Sequence, residues 1–395
     1  SRDALAEICR LADARAAGRE PSVSLRPGWP AAGLVGCQVP RVAARPWELD
    51  EAFGSVDWSV GWMAWDLADL AGRFRPPWQD SVVCEGMALG PGGKWAAAEV
   101  GVLCSRQNGK NGAIEVVELA WMVTEPGVRI LHTAHEFTTA LESMERLIAL
   151  IRGNPLIARM LAPGREGIRR GNGRESIRFR NGSFIAFRTR TNQSGRGRSF
   201  DRLVIDEAMI LSSAAYAALE PLLTTADQPG STGRGRQIWY LGSAPDADTM
   251  EHCWHWAGLR ERAFEGDPTL LWLEWSAPDP PENAAERAAW RTDPANHAAA
   301  NPSIGFLITE DYIPATLRSA RAAVEKWEIE RLSAGRWPKV DGGEPWFDLG
   351  RWAEMESTPV LVGHVAIGVA MSPDRQFVTI AAAQRTREGL IHLEV

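Results

Sequence analysis

From Lys94 onward, apolar and polar positions fall in blocks that predict alternating elements. Trp95 to Leu103 reads as a strand ending in the apolar run Val100-Gly101-Val102-Leu103. A polar stretch, Cys104 to Gly109, interrupts it, and Lys110 to Val123 then has helical apolar spacing. Gly127 to Thr133 predicts a second strand and Phe137 to Ile151 a second helix. Such alternation predicts an α/β fold with a mostly parallel sheet. Within Glu175 to Arg190, Asn181-Gly182 predicts a two-residue hairpin turn that sets Phe179 opposite Phe184. Arg202 to Asp206 and Gln237 to Leu241 read as short buried strands.

The flanks are less regular. Asp3 to Ala17 has the spacing of an amphipathic helix, and Pro21 to Pro46 reads as an irregular lead-in. Met63 to Leu70 looks helical, with a stop at Arg75-Pro76-Pro77-Trp78. Glu282 to Trp290 and Ile313 to Leu332 predict helices, and Lys339 to Pro345 a Gly-rich linker. The chain continues with apolar strands at His364 to Ala370, Phe377 to Ala383 and Leu390 to Val395.

Composition narrows the class. The 395 residues are 45% hydrophobic and 24% charged, an ordinary globular balance. Five cysteines without a CxxC pair speak against a disulfide framework or a zinc ribbon. No apolar run approaches the length of a membrane span, and no signal-peptide pattern opens the sequence, so a soluble intracellular protein is expected. The net charge of −7 speaks against a polyanion partner only until its distribution is read. Arg152 to Arg202 holds 13 arginines and 3 acids, a block of +10, which leaves −17 for the rest. That block suits contact with DNA phosphates. Only four of the 43 basic residues are lysines, so a lysine inside a motif marks a need for a compact ammonium.

Lys110 is such a lysine. Cys104 to Asn111, CSRQNGKN, stands between a strand and a helix, where backbone N–H groups and a lysine can hold phosphates. Arg106, Gln107, Asn108, Gly109, Lys110 and Asn111 are therefore candidate nucleotide-binding residues. Cys104 replaces the usual first glycine, and Asn111 replaces the Ser/Thr that normally holds Mg²⁺. About a hundred residues later, Leu203-Val204-Ile205-Asp206-Glu207-Ala208 delivers two carboxylates at a strand end, where α/β sheets bind ligands. Asp206 can hold Mg²⁺, and Glu207 can orient and deprotonate an attacking water. Ser243, after the strand Gln237 to Leu241, can sense hydrolysis beside the γ-phosphate, and Gln79 can bond an adenine edge. ATP and Mg²⁺ are the expected cofactors.

Together RQNGKN, LVIDEA, GSA, the upstream PPWQ and Asn301-Pro302-Ser303-Ile304-Gly305 resemble the large terminase subunit of tailed bacteriophages, over roughly residues 70 to 395. The resemblance implies an α/β RecA-like P-loop NTPase core of the ASCE type. It implies a lead-in at 1–59, the core at 60–260, a lid subdomain at 261–340 and a linker at 341–358. A partial RNase H-like nuclease domain would occupy 359–395. It further implies an ATPase that moves double-stranded DNA into a procapsid in the host cytoplasm, working as a homo-oligomeric ring with a portal protein and a small terminase subunit. Arg106 matches the arginine that the family carries before its Gly-Lys. Arg196 and Arg198 are candidate arginine fingers, with Arg106 a third acting in cis. The family's metal-binding nuclease Asp is expected where this sequence has Ala370; Asp374 is a weak substitute, so no cleavage by that mechanism is expected. A superfamily 2 helicase-type translocase, or a non-catalytic DNA-binding protein with a degenerate P-loop, are the alternatives.

Overall fold

The computed structural model describes residues 34–338 and 357–394, apart from residues 50–52, 172, 191–198, 224–232, 248–249, 251, 321–322, 358 and 372–377. The expected helix at Asp3 to Ala17 and the linker at 341–358 lie outside the described residues, except for residue 357. Two units separate between Trp337 and Pro338.

In the first unit the elements that position the site begin with β1 (Val42–Ala44), α1 (Ser59–Leu70), α2 (Trp78–Gly86) and β2 (Glu99–Leu103). Next come α3 (Lys110–Thr124), β3 (Arg129–Ala134), α4 (Phe137–Arg152), β4 (Ile168–Arg169) and β5 (Ser176–Arg178). Then follow β6 (Phe184–Thr189), β7 (Arg202–Asp206), β8 (Gln237–Gly242), α5 (Trp254–Glu265) and β9 (Leu270–Glu274). Four helices finish the unit: α6 (Ala284–Thr292), α7 (Pro294–Ala300), α8 (Tyr312–Ser319) and α9 (Val324–Leu332).

The strands form one nine-stranded sheet in the order β1-β9-β2-β8-β7-β3-β6-β5-β4. Every neighbouring pair from β9 to β6 is parallel, and antiparallel strands finish both edges. Strands β7, β8 and β9 are buried throughout, which is why they read as continuous apolar runs rather than alternating ones. Alternate residues serve two cores on opposite faces. Val100, Val102, Ile130, Val204 and Trp239 join a core with helices α1 to α4. Leu131, Leu203, Ile205, Tyr240 and Trp272 join a second core that includes Trp256 and Leu259 of α5. Helix α3 is buried from Gly112 to Val123, Glu115 and Glu118 included. Its acids are paired: Arg73 and Arg146 hold Glu115, and His132 holds Glu118 at 2.6 Å. Pairing of this kind offsets the cost of burying charge.

Several expectations shift. The strand at Trp95 to Leu103 begins only at Glu99, because Trp95 makes an isolated bridge to Leu89 instead. The helix expected over Ile313 to Leu332 is two helices, α8 and α9. The hairpin forms, but one residue out of the expected register, with Arg178 opposite Phe184. Only Gly182 has positive φ there (90°), and Gly182 N donates to Phe179 O, so the loop has three residues with glycine in the left-handed position. Two strand pairings cross the expected domain bounds. Strand β9 from the expected lid pairs with β2, and β1 from the expected lead-in pairs with β9. A third core of Ala277, Trp290, Ile304, Ile313, Trp327 and Leu332 lies beneath the helices after β9.

The second unit is a three-stranded antiparallel sheet of β10 (Leu361–Met371), β11 (Val378–Thr386) and β12 (Ile391–Glu394). Ala370 lies on β10 opposite Thr379.

Candidate functional site

The loop between β2 and α3 is built by two changes of backbone hand. Gln107 has φ of 69° and Gly109 has φ of 85°. Alternation of this kind turns successive N–H groups inward and makes an anion-binding concavity at a helix N-terminus. Glycine is needed at 109, because a Cβ there would be strained and would lie 2.9 Å from Leu307 Cδ1. Lys110 starts α3. Its ammonium donates to Cys104 O (2.7 Å), Ser105 O (3.3 Å) and Ser243 Oγ (3.3 Å). The lysine thus links the loop to the end of β8.

A buried polar network fixes the loop from behind. Asn108 is fully buried; its Nδ2 donates to Asn301 Oδ1 (3.0 Å), and its Oδ1 accepts from Ser303 N (3.0 Å). Ser303 Oγ donates to Asn108 O (2.7 Å) and accepts from Trp78 Nε1 (2.8 Å). Asn301 Nδ2 donates in turn to His297 O and Arg331 O. The Asn108 side chain is thus committed to holding the loop in shape. Gln107 is also committed: its Oε1 accepts from Tyr312 Oη (2.6 Å) and Arg331 Nη1 (2.9 Å).

The acid pair arrives at the same end of the sheet. Asp206 closes β7, and Asn111 Nδ2 donates to its Oδ2 at 3.1 Å. Glu207 follows in a left-handed conformation (φ 54°, ψ 49°), and its N–H donates to Asp206 Oδ1 at 2.9 Å. Its Oε2 is buried and has no hydrogen-bond partner among the described residues. Arg190, just past β6, donates to the carbonyls of Asp206 and of Glu207, the latter at 3.1 Å. Burial pushes this guanidinium's pKa down to about 10, against the pull of Glu207 and Asp206, so it stays cationic at neutral pH. No group of three or more His, Cys, Asp or Glu able to hold a metal occurs among the described residues. Asp206 and Asn111 instead bring one carboxylate and one amide to a single point. That pair suits a hard, hydrated cation that draws its other oxygens from phosphate and water.

Gln79 sits on the other side of the loop. It is buried, its Nε2 donates to Gly109 O (2.8 Å), and its Oε1 has no hydrogen-bond partner among the described residues. It lines a cleft of about 460 Å³ with Arg73, Phe74, Pro76, Gly109, Arg146 and Leu307. Arg106 carries an exposed side chain. Arg196, Arg198 and Asp374 lie outside the described residues.

A second cleft, of about 520 Å³, lies on the face of the second core, toward the antiparallel edge. Register places Arg129, Arg178 and Arg188 on one face with Phe184, and Arg169 opposite Ser176 on that face. Arg174 also lines it. Arg178 stacks over Phe184 at 4.8 Å. Asp201 pairs Arg129 at 3.0 Å and Glu175 pairs Arg188 at 3.6 Å, and five guanidinium groups line the cleft among the described residues.

The sequence reading missed Arg190, Asn301 and Ser303 as site residues. Arg190 was one of 13 arginines in its block. Asn301 and Ser303 act across roughly 195 residues of chain, beyond any local pattern.

No protein-family model and no curated protein matches the chain. Solved structures do. The crystal structure of the HK97 bacteriophage large terminase aligns with a TM-score of 0.54 at 14% identity. The alignment covers 82% of this chain, which spans 62% of the HK97 protein. The ATPase domain of the Thermus phage P74-26 large terminase aligns at 0.37 and 14% identity, over 68% of this chain and 96% of that one. The large terminase of a thermophilic bacteriophage, solved with ADP, aligns at 0.38 and 11%, over 75% and 63%. Each of these neighbours is a phage large terminase, and the mixed α/β fold of this chain, with its parallel-rich sheet, is one it shares with the HK97 protein.

Proposed function

We propose that the chain is the ATP-hydrolysing subunit of a DNA-translocating motor of the phage-packaging kind. One observation carries this reading: Lys110, Asn111, Asp206, Glu207 and Ser243 converge at the carboxyl ends of β2, β7 and β8. Strand β8 lies between the strand of the loop and the strand of the acids, which supports the RecA-like, additional-strand P-loop class.

In this reading the N–H groups of residues 107–111 and the Lys110 ammonium hold the β- and γ-phosphates, exchanging the loop carbonyls for phosphate oxygens. Asn111 and Asp206 would hold Mg²⁺, which would supply charge neutralisation to the phosphates. Gln79 Oε1 accepts from the adenine edge beside the Phe74 cleft. Glu207 takes the proton of the attacking water. The water oxygen bonds to the γ-phosphorus, the bond to the bridging oxygen breaks, and that oxygen keeps the electron pair as ADP leaves. Ser243, bonded to Lys110, reports the change to β8. The arginine-lined cleft takes the phosphates of double-stranded DNA. The helices after β9 act as the lid. The homo-oligomeric ring, the portal protein, the small terminase subunit and work in the host cytoplasm are expectations that rest on the resemblance. So is the nuclease assignment of residues 359–395, where Ala370 leaves this chain without the expected acid. Phosphate release from ATP tests the reading: turnover that requires Mg²⁺ and rises with duplex DNA supports it, and calorimetry that detects no ATP binding contradicts it.

A further inference from the structure

Arg190 ties the end of β6 to the end of β7. Its own N–H continues the β3–β6 ladder by donating to Ala134 O at 3.1 Å. From there its guanidinium reaches past the end of β3 to the end of β7, the next strand but one, and donates to two consecutive carbonyls, those of Asp206 and Glu207. A planar fork presents its donors in one fixed geometry, which the rotatable donors of a shorter ammonium side chain do not reproduce. The peptide it grips is unusual. Glu207 is a non-glycine residue with φ of 54°, a strained conformation that persists only where its surroundings hold it. Asp206 Oδ1 holds the Glu207 N–H from one side, and Arg190 holds the Glu207 carbonyl from the other.

We infer that Arg190 is a positioning residue for hydrolysis, which fixes the backbone of Glu207 so that its carboxylate meets the attacking water. The inference rests on the reading of Glu207 as the base. The left-handed turn aims the side chain, and the fork stabilises the turn. The same arginine joins the Glu207 peptide to β6, the strand whose Phe184 and Arg188 line the arginine cleft.

The test uses the full chain with Arg190→Lys, Arg190→Gln and Arg190→Ala. Thermal melts, ATP affinity by calorimetry and steady-state turnover are measured for each. Displacing a reacting group by a small distance costs up to about a hundredfold in rate, so kcat is expected to fall by about thirtyfold or more even in Arg190→Lys. ATP affinity is expected to stay within about threefold, which marks loss of an interaction used in the transition state alone. Added methylguanidinium is expected to restore part of the rate of Arg190→Ala. Turnover of Arg190→Lys close to the parent's overturns the inference. So does a parallel loss of melting temperature and ATP affinity in all three variants, without chemical rescue, since that marks a structural role. Glu207→Gln is run beside them: if it turns over ATP at the parental rate, the base assignment itself fails. If it is inactive while Arg190→Lys is active, only the positioning role fails.

Discussion

The side-chain amide of Asn111 donates to Asp206 Oδ2 across 3.1 Å, joining the residue after the loop lysine to the acid that ends β7. The contact accounts for an asparagine where P-loops usually carry a hydroxyl. Its amide nitrogen holds Asp206, and in the proposed reading its carbonyl oxygen would serve the cation. Asn111→Ala is expected to raise the Mg²⁺ concentration for half-maximal turnover by about tenfold, while Asn111→Ser stays close to the parent, because a hydroxyl supplies the same hard oxygen. A Mg²⁺ titration of phosphate release checks both.

The network behind the loop predicts a coupled loss of stability and binding. Ser303→Ala leaves the Trp78 indole N–H and Asn108 O without their buried partner. Each unsatisfied buried group costs about 1–3 kcal/mol. The variant is expected to melt several degrees lower and to bind ATP more weakly, as differential scanning fluorimetry with and without nucleotide can read. Arg106→Ala, which alters an exposed side chain of the same loop, is expected to leave the melting temperature unchanged.

His132 and Glu118 form a fully buried pair on β3 and α3. Burial pulls the imidazole pKa down, but Glu118 and Asp206 pull it up by more, so it lies above its ordinary value of 6.5. A raised histidine stabilises the fold fully below that unfolded value, and the contribution is lost as pH rises through the folded value. Melting temperature is therefore expected to fall as pH rises above about 6.5, and to fall less in Glu118→Gln. Equal slopes in the two proteins contradict this.

Most of the sheet was legible because fully buried parallel strands leave continuous apolar runs, as RLVID and QIWYL do. The placing of Lys110 at a helix start and of Asp206 and Glu207 at a strand end was legible because each follows a short apolar run in the sequence. The hairpin register was not, since Asn181-Gly182 serves a two-residue loop and a three-residue loop alike, and only packing decides. Arg190 was invisible for a similar reason. Its role depends on β3 lying between β6 and β7, a fact of topology. The pairing of β9 with β2 has the same origin: LLWLE is an apolar run whose partner lies about 170 residues upstream.

The arginine cleft makes a prediction about salt. If Arg129, Arg169, Arg174, Arg178 and Arg188 meet DNA phosphates, affinity falls steeply and linearly on a log–log plot against salt. Changing Arg169 and Arg174 to Ala is expected to flatten that slope by about one to two units, irrespective of DNA sequence. Fluorescence anisotropy on random-sequence duplexes at several salt concentrations checks it; a slope unchanged by the double variant contradicts it.

The central claim is that Glu207 is the base of an ATP-hydrolysing site, and single-turnover phosphate release by Glu207→Gln tests it most directly. The account predicts a chemical step slowed by about a hundredfold or more, with ATP affinity held within about threefold of the parent. A variant that binds ATP and releases phosphate at the parental rate would contradict it.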